Sequence, residues 1–178
     1  MKIDKNIFQS CQNKERKGQE ALYRQCYPDL MRLLFRYVRV DADAADILNK
    51  GMLKVFLKIE QFGGNEDNFF GWIKRVVINE ALDHLRAGNK LSNAEPIENI
   101  PEKTELNLVE EKDATQMMQF LLSQLPDLTA TVFNLYALEG YSHAEIAEML
   151  EISVANSKWH VFSARKRLQL YLQQNSQL

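Results

Sequence analysis

The chain has 178 residues, 46% hydrophobic and 26% charged, with a net charge of −2; this is the composition of an ordinary globular protein of one or two small domains. No apolar run approaches the roughly 20 residues of a membrane span, and the start, MKIDKNIFQS, lacks a signal-peptide core, so a cytoplasmic protein with no membrane insertion is expected. Two cysteines (Cys11, Cys26) and three histidines (His84, His143, His160) show neither a disulfide framework nor metal-ligand spacing. With no phosphate loop or nucleophile elbow, no cofactor and no enzymatic chemistry are indicated.

Nearly everything reads as helix, and strand-like alternation is absent. A first helix is predicted over residues 5–12. A second, over 19–40, carries Leu22, Tyr23, Cys26, Leu30, Leu33, Leu34, Tyr37 and Val38 on its apolar side, and Pro28 should bend or break it. Asp41 or Asp43 is the expected cap of a third helix bearing Ile47, Leu48, Met52, Val55, Phe56 and Ile59. Gly63-Gly64-Asn65 is a turn. A fourth helix, over 67–86, carries Phe69, Phe70, Trp72, Ile73, Val76, Val77, Ala81, Leu82 and Leu85. These four form a predicted domain over residues 1–86. Residues 87–112 hold two of the four prolines and six acidic against three basic residues, and read as a flexible acidic linker. A second all-helical domain follows over 113–178. Its first helix stops at Pro126, Asp127 caps the next, and Gly140 ends it.

The stretch YSHAEIAEMLEISVANSKWHVFSARKR carries the sharpest signal. Ser142-His143-Ala144-Glu145 has the form of a capping box. Ile146, Met149 and Leu150 follow as an apolar stripe, and Ser153 is placed to cap another helix. That helix carries Val154, Ser157, Val161, Ala164 and Leu168 on one side. Asn156, Lys158, Trp159, His160, Arg165, Lys166 and Arg167 occupy much of the rest. A short helix, a turn and a basic helix form a helix-turn-helix, whose second helix fits the major groove of DNA. Paired amphipathic helices also occur in all-α proteins that never touch DNA; the basic run favours DNA, because Lys and Arg neutralise phosphates. The turn position best suited to Gly holds Glu151, where a left-handed backbone costs about 1–2 kcal/mol. Residues 1–86 carry a net +3, residues 87–112 a net −3 and residues 113–178 a net −2, and all four positive charges of the last segment lie between Lys158 and Arg167. Such a local basic surface binds DNA weakly without a partner.

Taken together, the segments resemble the small two-domain sigma factors of bacterial RNA polymerase, the extracytoplasmic-function branch of the sigma-70 family. LPDLTATVFNLYALEGYSHAEIAEMLEIS resembles region 4, with ARKRL as its basic close. DADAADILNKGMLKVFLKIEQF resembles region 2.2. FFGWIKRVVINEALDHLR resembles regions 2.3 and 2.4, with Trp72, Arg75, Asn79, Asp83 and Arg86 in the family's places. The resemblance spans about residues 15–86 and 115–172.

It implies a division of labour. Asp46, Asn49, Lys50, Leu53 and Phe56 would dock on the β′ clamp of core RNA polymerase, with the β flap a further polymerase contact. Asn65, Asn68, Phe69, Trp72, Arg75, Asn79 and Arg86 would recognise and melt the −10 promoter element. Ser153, Asn156, Ser157, Lys158, Trp159, His160, Arg165, Lys166 and Arg167 would engage the −35 element. An anti-sigma factor, often membrane-bound in this family, is the implied antagonist. A small helical domain needs large apolar anchors, so at least two of Phe69, Phe70 and Trp72 are expected in the core. Where the family has Gln followed by an acidic residue, this chain has Asn49 and Lys50, a charge reversal at the polymerase-facing helix. Two alternatives stay open: a free-standing dimeric helix-turn-helix regulator, and a degenerate sigma-like protein that binds polymerase or an antagonist without starting transcription.

Overall fold

The structure, a computed structural model, describes residues 1–38, 40–88, 91 and 114–175. Their regular structure is all helix, without a strand among them, and they form two compact units, Met1–Leu85 and Arg86–Leu178. The predicted linker falls almost entirely outside the described residues.

In the first unit, α1 (Lys5–Gln12) begins at Asp4, whose carboxylate accepts the amides of Asn6 and Ile7 at 2.8 and 3.3 Å. The helix packs along α2 (Arg16–Leu34). Pro28 lies inside α2 without breaking it. An interior proline costs about 3 kcal/mol; here it sits on the exposed side, while Leu22, Cys26, Leu30 and Leu34 hold both flanking segments against the core. The helix ends at Leu34 rather than running to residue 40. Its last carbonyls are taken by the amides of Arg36, Tyr37 and Val38, and Tyr37 and Val38 still bury their side chains.

α3 (Asp41–Lys58) starts at Val40, not at an aspartate. Asp41 and Asp43 fall inside the first turn, where a negative charge favours the N-terminal dipole. The Asp43 carboxylate is 3.7 Å from the His84 ring of α4 (Glu66–Ala87) instead of capping. Residues Phe69, Ile73, Val77, Ala81 and Leu85 form the buried stripe of α4 at strict four-residue spacing. Gly51 lets α3 approach α4: a Cβ there would sit 2.9 Å from Val77 Cγ2 and 3.2 Å from its Cα. A single helical turn, Ile59–Gln61, and a short loop join the two helices.

The second unit contains α5 (Ala114–Ser123), α6 (Asp127–Phe133), α7 (His143–Leu150) and α8 (Val154–Asn175). Pro126 occupies the cap position of α6, which moves Asp127 into the first turn. The helix does not stay α-helical to residue 139. From Asn134 to Leu138 it widens into a π turn, with Glu139 N–H reaching Asn134 C=O at 3.1 Å. Asn134 is fully buried there, and neither its amide nitrogen nor its oxygen has a partner. Leu122, Leu125 and Ala164 centre one cluster, covered by Met118, Phe133 and Leu168.

Candidate nucleic-acid and protein interfaces

On α3, Asp46, Asn49, Lys50 and Leu53 point outward, and Phe56 is half-buried. Lys50 Nζ binds Asp46 at 2.6 Å one turn back. That hydrogen bond and the adjacent negative charge raise the Lys50 ammonium above its ordinary value, so the charge reversal noted in the sequence is matched within the helix. Asn49 Oδ1 accepts the Tyr23 hydroxyl at 2.8 Å, tying this face to α2. Leu53 is 58% exposed and Leu57 70%. Leu57 was missed from sequence, although it falls off the buried stripe Ile47, Leu48, Met52 and Val55 and lies one turn beyond Leu53. Lys54 pairs with Glu80 and approaches Asp83 at 4.0 Å, so Asp83 has a structural partner.

The loop before α4 exposes Gly63, Gly64 and Asn65. A Cβ on Gly64 would lie 2.6 Å from Phe62 Cζ, so glycine is what lets the ring fold back under the loop. Phe62 packs against Phe69 and Trp72, both at 5.2 Å between ring centroids. Phe69 is 0% exposed, which removes it from the DNA-facing set: it is the aromatic anchor of the core. Trp72, half-buried, stacks on Phe69 at 5.8 Å and 15°. Asn68, Arg75, Asn79 and Arg86 remain exposed along α4, a polar stripe about 27 Å long at 1.5 Å per residue.

In the second unit, the capping box forms as the sequence requires: Ser142 Oγ accepts Glu145 N–H at 3.2 Å and the Glu145 carboxylate accepts Ser142 N–H at 2.9 Å. Glu151 closes α7 in the left-handed region, φ 55° and ψ 39°. Ser153 Oγ accepts Asn156 N–H at 3.0 Å and starts α8. Two polar residues on α8 then turn inward. Ser157 is 0% exposed and hydrogen-bonded to His143 Nδ1 at 2.9 Å. His160 is buried and hydrogen-bonded through Nδ1 to Thr129 Oγ1 at 3.0 Å, and burial lowers its imidazole below the ordinary value. Neither can reach a base edge, so both leave the DNA-facing set. Asn156, Lys158, Trp159, Arg165 and Lys166 stay exposed, and Arg167 is half-exposed. Arg165 also lies over the Tyr136 ring at 5.8 Å, and Tyr136 stacks on His143 at 4.3 Å. Phe162, 67% exposed between Trp159 and Lys166, is a second surface residue missed from sequence. The signal was its place off the buried series Ser157, Val161 and Ala164.

No helix among the described residues is long and apolar enough to cross a membrane, and no group of three potential metal ligands occurs among them.

Two family models match the chain over complementary extents. The model of Sigma-70 region 2 matches residues 22–90, and that of Sigma-70, region 4 matches residues 115–168. The ECF RNA polymerase sigma-E factor of Haemophilus influenzae is 28% identical over 96% of this chain and 95% of its own. The RNA polymerase sigma-H factor of Pseudomonas aeruginosa is 23% identical over 96% and 94%. Among solved structures, CnrH in complex with the cytosolic domain of CnrY shares the fold, with a TM-score of 0.55 at 17% identity over 97% of this chain and 98% of that one.

Proposed function

Since the chain belongs to the sigma-70 family, in its extracytoplasmic-function branch, and is an alternative sigma factor directing transcription initiation, we propose how its surfaces divide that work. Residues 1–86 bind core polymerase and open the −10 element, residues 87–112 tether, and residues 113–178 engage the −35 element. The exposed row of α3, Asp46, Asn49, Lys50, Leu53 and Leu57, meets the β′ clamp. Its apolar residues supply burial, and the internal Asp46–Lys50 pair leaves little net charge to desolvate. Asn65 and Asn68 hold a flipped −10 base, Trp72 offers an aromatic edge, and Arg75, Asn79 and Arg86 steer the melted strand. Stacking, worth about 1–3 kcal/mol per base, offsets the few kcal/mol needed to unstack it.

The observation that carries the upstream half is the exposed side of α8 behind the helix-turn-helix turn, an arc of about 180° that runs from Asn156 through Trp159 and Lys166 to Lys158 and Arg165. Lys158, Arg165, Lys166 and Arg167 neutralise phosphates, and Asn156 lies where a base edge is read. Sigma factors are initiation factors that serve the polymerase's chemistry and perform none themselves, so no residue is assigned a catalytic role. The working place of such a protein is the cytoplasm, beside polymerase and DNA. CnrH, of like fold, forms a complex with a cytosolic domain, which supports an anti-sigma factor for this chain, one whose cytosolic domain covers exposed apolar residues such as Leu53 and Leu57 and whose remainder is membrane-bound.

The test compares two substitutions on α8. Lys158→Ala should weaken all −35 sequences alike and reduce the slope of log affinity against log salt by about one. Asn156→Ala should relax preference at one or two base pairs, each worth roughly 1–3 kcal/mol. Equal loss on every sequence from Asn156→Ala would reject its base-reading role.

A further inference from the structure

Residues 1–21 lie before the region 2 match, which starts at residue 22, yet they grip the −10 loop on three sides. Phe8 of α1 is buried and presents its ring edge-on to Phe69 at 4.8 Å and 64°, and to Phe62 at 6.0 Å and 88°. Lys14, just past the end of α1, pairs with Glu60 at 2.8 Å on the entry side of the loop. Lys2 pairs with Asp67 at 2.8 Å on the exit side. Gln25 of α2 donates to the Lys2 carbonyl at 3.1 Å, holding the extended start of the chain in place. Both ion pairs are more than half exposed, and exposed pairs contribute little. The Phe8 contact, buried and edge-on to two rings, is therefore the stronger of the three.

We propose that the N-terminal helix positions the −10 loop: Phe8, acting through Phe62, holds residues 62–68 in the shape that receives a base. Phe62 is the linking residue because its ring lies under Gly64 on one side and against Phe8, Phe69 and Trp72 on the others. A shift of that ring moves the backbone of Gly63 to Asn65 directly. Phe8 touches no DNA in this account, so it is a positioning residue, and the account rests on the reading of the loop as the −10 base site.

The experiment uses the full chain with core polymerase on two promoters differing by one −10 base, and reads the ratio of open complexes by permanganate reactivity. Phe8→Ala should lower that ratio about two- to tenfold, as expected for one lost aromatic edge contact. Binding to a −35 duplex and association with core polymerase should be unchanged. Phe8→Leu, which keeps the core filled but lacks the ring edge, should show part of the loss, and Phe8→Met should restore discrimination, because a thioether keeps a favourable contact with aromatic rings. Asn65→Ala, in the same series, reports on the loop alone. If Asn65→Ala lowers the ratio and Phe8→Leu and Phe8→Ala do not, the positioning role is wrong and the loop reading stands. If none of the three lowers it, the loop reading fails and this inference with it. A uniform loss on both promoters together with core association makes Phe8 a core residue only, and Phe8→Leu settles the matter should Phe8→Ala fail to fold.

Discussion

The two units of this chain are built from different interior materials. Among the described residues, all five buried polar ones, Thr129, Thr131, Asn134, Ser157 and His160, belong to the second unit. The first is closed by aliphatic side chains and by the cluster of Phe8, Phe62, Phe69 and Trp72. An apolar interior is set mainly by burial, which is non-directional. A polar interior is set by hydrogen bonds, and a buried group that loses its partner costs about 1–3 kcal/mol. In the first unit, surface changes should therefore alter function and spare stability. In the second, changes to Ser157 and His160, which the sequence sets among the surface readers, should lower stability.

The largest effect expected from this contrast is on the first unit's surface. Leu53→Asp combined with Leu57→Asp should weaken association with core polymerase by 30-fold or more, about 2 kcal/mol at least for a central apolar anchor. The melting midpoint should hardly move, since both leucines are mostly exposed. A large fall in that midpoint would show that they are packed rather than presented.

His160→Ala should do the reverse. It orphans Thr129 and leaves a cavity where α8 packs on α6, and we expect about 2–3 kcal/mol of destabilisation in the second unit. DNA binding should be lost only in proportion to unfolding. Selective loss of −35 affinity with an unchanged melting midpoint would return His160 to the DNA interface.

The same residue gives the units different pH responses. Burial lowers the His160 imidazole below 6.5. Above that pH both folded and unfolded forms are neutral and the contribution is complete. As pH falls below about 6.5 the unfolded chain takes up the proton first, and stability is lost until the folded imidazole is protonated as well. The chain has two tryptophans, one in each unit. Thermal melting followed by Trp159 in a Trp72→Phe background should shift down from pH 7 to pH 5.5, and His160→Gln should flatten that part of the response. Equal slopes with and without His160→Gln would remove His160 as the cause.

The smallest effect concerns Asn134, whose buried amide has no partner in the π turn. Replacing an unsatisfied buried polar group by an apolar one of similar size can stabilise. Asn134→Leu should raise the stability of the second unit by about 1 kcal/mol, read from denaturant unfolding. Destabilisation would mean that the amide is matched by a bound water or a partner.

How much was legible in the sequence follows the same division. Four-residue apolar spacing disclosed α4 in full, and Ser142, Glu145 and Ser153 announced the starts of α7 and α8 through hydrogen bonds local to the chain. Caps that depend on a neighbour were not legible: Asp43 faces His84 and leaves Val40 at the cap position. Pro28 read as a bend or a break because its cost is local, while the packing that carries α2 through it is tertiary. At the interfaces, residue type misled in both directions. Ser157 and His160 looked like groove readers but satisfy His143 and Thr129 from across the unit. Leu57 and Phe162, apolar by type and assigned to no surface from the sequence, are exposed.

The central claim is that both units act through polymerase on one promoter, and run-off transcription with core polymerase tests it most directly. On genomic fragments we predict transcripts only when the chain is added, with start sites that move when the −10 element is moved and yields that fall when the −35 element is altered. DNA binding by the chain alone, with no transcript from any fragment in the presence of core polymerase, would contradict the account.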